Sequence, residues 1–215
     1  MKTKPALLIA ISALALGLSG CSAAPGTAPT SSVSSASSAS ASDGQTASQT
    51  TSAASAGWQL APANGAANIK AAGLAVLLAE GSAEHYHAHL DVIADGKAIT
   101  VPAEVGFSFG TDGQPNGISA LHTHDESGII HIEAPTAGLT YTLGQFLTEW
   151  GVLDGTSTTP ASAHSSAADW QVYVNGSKQA GSPKDVVLKP HEEIALVHGA
   201  PPATIPASYS FPAGY

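Results

Sequence analysis

One stretch of this chain alternates hydrophobic and polar residues with a period of two. Tyr86, Ala88, Leu90 and Val92 are apolar or aromatic, and His85, His87, His89 and Asp91 interleave with them. That period sends alternate side chains to opposite faces of a β-strand. His85–Ala94 therefore reads as a strand with imidazoles along its polar face. Asp95-Gly96 follows as a hairpin turn and Ala98–Val101 as the returning strand. Gly106–Gly117, rich in Gly, Asp, Pro and Asn, reads as a loop. Ile118–His124 and Ile129–Glu133 read as two short strands around Asp125-Glu126-Ser127-Gly128. Leu143, Phe146, Leu147 and Trp150 are spaced i, i+3, i+4, i+7, which predicts a short amphipathic helix, and similar spacing predicts a helix over Ala66–Leu78. Leu139–Thr142, Trp170–Val174, Val186–Leu188 and Ile194–Val197 read as further strands. The expected fold is α+β, mostly β, with small mixed or antiparallel sheets and one or two short helices.

The order of elements over 139–199 (a strand, a helix, the "VYVNG" strand and an "L-x-x-x-E-E-I-x-L-V" strand) resembles a β-grasp domain. There the final strand follows a short acidic turn, a place taken here by Pro190-His191-Glu192-Glu193-Ile194. The resemblance implies a β-grasp-like C-terminal part. Glu192 and Glu193 read as a solvated turn, Trp150 and Trp170 as core or rim packing, and His164 as an exposed loop residue. His191 and His198 flank the last strand and read as structural. The Pro-rich tail, 200–215, either packs through Tyr209, Phe211 and Tyr215 or hangs loose.

The N-terminus has a different character. Lys2 and Lys4 precede an apolar run ending near Leu18, followed by Ser19, Gly20 and Cys21. A positive start, a short apolar core and small residues at the cut read as an export signal over 1–20, and the run is shorter than the roughly 20 residues of a membrane span. Leu18-Ser19-Gly20-Cys21 resembles the lipobox of bacterial lipoproteins, which implies cleavage before Cys21 and diacylation of its sulfur. Two acyl chains give stable anchoring. Residues 21–57, nearly all Ser, Ala, Thr, Gly and Pro, read as a disordered tether. Trp58 opens a single globular region, 58–215. Its parts are a histidine-rich section over 58–138, the grasp-like 139–199 and the tail. The expected location is the extracytoplasmic face of a cell membrane, held by lipid alone.

Charge narrows the partners. Removing the expected signal leaves five lysines, no arginine and 16 carboxylates, hence a formal charge of −11. Such a chain lacks the basic face that nucleic acid or anionic lipid requires. It suits a cationic partner, including a metal ion.

Six of the nine histidines fall between residues 85 and 131. His85, His87 and His89 share one strand face; His122 and His124, and His131 and Glu133, repeat the two-residue spacing. With an even loop at Glu126-Ser127, His122 stands opposite His131 and Ala120 opposite Glu133, with His124 on the same face opposite Ile129; an odd loop would turn His131 away. The even register gathers the polar residues. Opposed Cβ atoms lie about 4.5–5.5 Å apart, close enough for imidazoles to share an ion at about 2.0–2.1 Å. The candidate metal ligands are His85, His87, His89, His122, His124 and His131. Asp91, Asp125 and Glu133 are additional ligands or acceptors for the outer imidazole N–H.

The strings "H-x-H-A-H-L-D-V", "L-H-T-H-D-x-S-G-I-I-H-I-E" and "T-L-G-Q-F-L-T-E-W-G" resemble a family of small exported bacterial proteins without an established activity. The resemblance spans about 72–215 and implies that this region is one unit; it supplies no substrate. The chemistry then leaves three classes. The first is a tethered protein that binds a transition metal. Imidazole-rich, thiol-free sites suit Zn, Cu(II), Ni or Fe, and zinc or Cu(II) is favoured; Met1 is the only methionine, so a Met-based Cu(I) site is excluded. The second is a metal-dependent hydrolase or oxygenase with a three-His site, with Asp125, Glu126 or Glu133 as base. The third is a metal-free interaction domain on a stalk.

Overall fold

The structure, a computed structural model, describes residues 57–215. The expected signal, Cys21 and nearly all of the expected tether lie outside the described residues. The elements in order are helix α1 (Gly65–Ala71), strands β1 (Glu84–Ala94), β2 (Lys97–Ile99), β3 (Phe107–Phe109), β4 (Pro115–Ile118), β5 (Leu121–His122) and β6 (Ile129–Ala134), helix α2 (Leu143–Trp150), and strands β7 (Gln171–Val174), β8 (Ser177–Lys178) and β9 (Glu193–His198). The fold is α+β and mostly β, as the pattern of the chain implies. Among the described residues no helix is long and apolar enough to cross a membrane.

Seven strands form one mixed sheet in the order β5-β6-β1-β9-β7-β8, with β2 also paired to β1; β3 and β4 form a separate hairpin. At the centre β1 and β9 run parallel, His89 beside Glu193. The other neighbours are antiparallel. The 139–199 segment does not close a sheet of its own, because β9 pairs in parallel with β1.

The sheet has one apolar and one imidazole face. Ala88, Leu90 and Val92 of β1, Ile130 and Ile132 of β6, Val172 of β7 and Ile194 and Leu196 of β9 bury one face against Leu143, Phe146, Leu147 and Trp150 of α2. Residues one position away in β1, β6 and β9, including His87, His89, His131, Glu133 and Glu193, occupy the other face and are buried too. Helix α2 is set by local chemistry. Thr142 and Gln145 form a reciprocal capping box, and Gly151 ends the helix in the left-handed region at φ 78°. Trp58 packs between Trp150 and Trp170 at 5.6 Å from each, and its carbonyl accepts from Trp150 Nε1 at 2.9 Å.

Several local expectations need correction. Helix α1 stops at Ala71, well short of Leu78, because Gly73 takes φ 76°. Gly106–Gly117 contains the β3–β4 hairpin; the density of turn residues hides the Phe107-Ser108-Phe109 alternation. Ile118–His124 is broken: Ser119 and Ala120 separate β4 from β5, and His124 lies beyond β5, unpaired with Ile129. Leu139–Thr142 and Val186–Leu188 are not strands and meet through one bridge, Thr142 to Val187.

Candidate metal centre

The register at the heart of the site is the even one. His122 is paired with His131 and Leu121 with Ile132, and Glu133 N–H donates to the Ala120 carbonyl at 2.9 Å. On the other side of β6, His131 is paired with His87 and Glu133 with His85. Three strands therefore present one row, His122–His131–His87. The rings stack at 5.2 Å between His122 and His131 and meet edge-on at 4.5 Å between His131 and His87. His124 joins at 4.5 Å from His131.

Close approach of backbone makes this possible. Gly106 has φ 80°, and a Cβ there would collide with the Leu121 carbonyl and come within 3.0 Å of the His122 Cβ. Only glycine accommodates that passage.

Donor atoms lie close enough together to hold a metal ion. His122 Nδ1 donates to the Ser119 carbonyl at 3.0 Å, which leaves its Nε2 as an acceptor. That Nε2 lies 3.2 Å from His124 Nε2. Glu80 Oε1 lies 3.3 Å from His124 Nε2 and 3.8 Å from His122 Nε2. Across the row, Glu133 Oε1 lies 3.1 Å from His131 Nδ1 and 3.4 Å from His85 Nε2. A tetrahedral ion with ligands at about 2.0–2.1 Å separates neighbouring donors by about 3.3–3.4 Å. Several of these contacts are longer than good hydrogen bonds yet close to that edge. Two sets of donors lie mutually within 4.8 Å: His122, His124, His131 and Glu133; and His85, His87 and Glu133.

Three of these histidines are held in the ligating, neutral form. Burial, followed by repulsion from His124 and His131, lowers His122 to about 3. Burial and His131 lower His87 to about 4, and burial and His124 lower His131 to about 4. A cluster that resists protons so strongly keeps its lone pairs available at neutral pH.

His89 stands apart from the other five. Its Nδ1 lies 2.7 Å from Glu193 Oε2 and its Nε2 donates to the Ser127 carbonyl at 2.8 Å. A carbonyl can only accept, so Nε2 carries a proton, and a second proton is held between Nδ1 and Glu193. Burial alone would lower this histidine, but the Glu193 hydrogen bond and charge raise it. His89, Asp91 and Glu193 could also surround an ion, but in this arrangement both His89 nitrogens are occupied. Tyr209 stacks on the ring at 3.7 Å. Glu193 is therefore buried, not part of a solvated turn. Asp125 is not gathered with the histidines: its Oδ1 accepts from Ser127 N–H at 2.9 Å and fixes the turn.

Four features escape the sequence pattern. Glu80 comes from an irregular segment. Glu193 meets His89 only through the parallel pairing. Tyr215 lies over His87 at 4.6 Å and His131 at 5.4 Å, while Phe211 packs on His191 at 4.9 Å; the tail thus covers the imidazole face. Glu149 of α2 is fully enclosed, with neither carboxylate oxygen in an ordinary hydrogen bond. Burial pushes its carboxyl well up, opposed by the nearby Ser119 hydroxyl. The remaining histidines pair with acids away from the site, His164 with Asp154 at 3.2 Å and His198 with Asp95 at 2.9 Å.

No protein-family model matches the chain, and neither the curated proteins nor the solved structures contain a match to it.

Proposed function

We propose that this protein binds a transition metal, zinc or Cu(II), through His122, His124 and His131, with Glu133 or Glu80 completing the shell. One observation carries the reading: buried His122, His131 and Glu133 from β5 and β6 and the more exposed His124 and Glu80 from the adjoining segments converge at separations near the edge of a tetrahedral metal site. The same atoms are joined by hydrogen bonds, His122 to His124 at 3.2 Å and His131 to Glu133 at 3.1 Å, which a cation would replace on binding. The donor set, without sulfur, favours zinc and Cu(II) over Cu(I).

The sequence supports a place for this activity. The Leu18-Ser19-Gly20-Cys21 tetrapeptide, the apolar run before it and the Ser/Ala/Thr tract after it fit an exported, lipid-anchored protein that captures or buffers metal outside the cell. Mass spectrometry of the mature N-terminus tests this, with diacylation at Cys21 expected and an unmodified or uncleaved N-terminus against it.

Competition titration of the purified full-length chain with Zn(II) and Cu(II) tests the metal. Micromolar or tighter binding is expected, weakened at least tenfold by His122→Ala or His131→Ala and unchanged by His164→Ala. Absence of binding, or equal affinity in all variants, refutes it.

A cleft beside the site favours a second reading, a metal-dependent hydrolase or oxygenase. Leu78, Glu80, Phe107, Asn116 and Ile118 line a cavity of about 380 Å³, and Phe107 lies 5.8 Å from His122 and 5.9 Å from His124. A coordination position open toward this cleft would admit substrate. Exchangeable metal-bound water in the Co(II) form supports this reading, and a closed shell of protein ligands removes it.

A further inference from the structure

We propose that the histidine row holds two metal ions that share Glu133. The inference rests on the metal-binding reading above and concerns how many ions the site takes. Glu133 belongs to both donor sets, one with His122, His124 and His131 and the other with His85 and His87. Its Oε1 faces His131 Nδ1 at 3.1 Å on one side and His85 Nε2 at 3.4 Å on the other.

No set of donors lying within 4.8 Å of one another contains both His122 and His87, which separates the two sets. His122 lies on β5, His131 and Glu133 on β6, and His85 and His87 on β1, in that spatial order. Adjacent strands are about 4.8 Å apart, so His122 and His87 sit on opposite flanks of β6. An ion with bonds of about 2.0–2.1 Å spans at most about twice that length. One ion therefore occupies the β5–β6 side and a second the β6–β1 side. The donors are also too numerous for one tetrahedral shell: five imidazoles with Glu133 and Glu80.

The second position has its own mark. His87 is buried, and its Nδ1 has no hydrogen-bond partner; among the described residues no other enclosed histidine nitrogen is left so. An enclosed ring nitrogen without a partner, on a side chain grouped with His85 and Glu133, is the state a bound cation would relieve. Carboxylate-bridged pairs of divalent ions typically lie about 3.5–4 Å apart and clamp the two oxygens of an in-line displacement. The ligand class is thus two borderline divalent ions, and the substrate class such a pair would serve is an ester or phosphoester.

Native mass spectrometry of the full-length chain titrated with Zn(II) reads the stoichiometry directly. Two equivalents are expected. His85 is exposed, so His85→Ala keeps the fold, verified by an unchanged melting temperature in chelator, and should bind one. Glu133→Gln should weaken the second equivalent at least tenfold. With Cu(II), the two-copper form should give less than two spins of electron paramagnetic resonance intensity, and His85→Ala one full spin. One equivalent in the unaltered chain overturns the pair and leaves the metal-binding reading standing. Zero equivalents removes that reading itself. Two equivalents retained by His85→Ala, or two full uncoupled spins, also overturn the shared site.

Discussion

Acidification of the metal-free chain probes the crowding of neutral imidazoles most sensitively through His122. This side chain is wholly enclosed and its ring is held to about 3, chiefly by burial. An unfolded histidine titrates near 6.5. Between those values the unfolded chain takes up a proton that the folded chain refuses, so stability is present above pH 6.5 and is lost as pH falls. Each pH unit is worth about 1.4 kcal/mol. Moving from pH 6.5 to 5.0 should therefore remove up to about 2 kcal/mol through His122 alone, against a total stability of about 5–15 kcal/mol for a domain. His87 and His131 act in the same direction. Other groups act in the opposite one, so the total pH dependence is ambiguous and a comparison isolates the effect. Urea unfolding of the chelator-treated wild type and His122→Gln at pH 6.5 and 5.0 yields two stability differences. Loss of packing contributes equally at both pH values; titration does not. The wild-type advantage should shrink by up to about 2 kcal/mol at pH 5.0. An advantage that is constant or grows would show that His122 is not held neutral, and the ligand argument would lose its electrostatic support.

Glu149 should show the opposite slope. Its carboxyl is pushed up by burial, so above the unfolded value the folded chain holds a proton that the unfolded chain releases, and stability falls as pH rises. Glu149→Gln should be more stable than wild type at pH 7, with a gain that fades toward pH 4.5; urea midpoints across that range decide it. Gly106→Ala forces a Cβ against the Leu121 carbonyl and His122 at a positive φ, and should cost about 1–3 kcal/mol and weaken Zn(II) binding; thermal melts and competition titration read both. Trp58→Ala empties the space between Trp150 and Trp170 and should cost about 3–5 kcal/mol, measured by urea unfolding.

Local periodicity makes β1, the Asp95-Gly96 turn and α2 legible, because each is specified within a few residues. The His122–His131 pairing is legible as well, since an even loop is the one that keeps polar residues together. Local pattern fails wherever distant segments decide. Glu193 reads as solvent-facing in its own turn, yet the parallel β1–β9 register lays it beside His89, a residue 104 positions away. The separation of His89 from the other ligands follows from that same contact, invisible to a reading in which His85, His87 and His89 share one face. Glu80 lies in a stretch without period, and its approach to His124 depends on where that segment crosses the hairpin. The aromatic tail carries spacing that fits either packing or disorder, and only the imidazole face it covers resolves the choice.

Anomalous diffraction from crystals of the zinc-loaded protein, recorded above the zinc edge, locates the bound ion among the histidines. A peak is expected about 2.0–2.1 Å from ring nitrogens of His122, His124 and His131. A map without a peak among these rings, or with its peak only at an exposed pair such as His164 and Asp154, would contradict that placement.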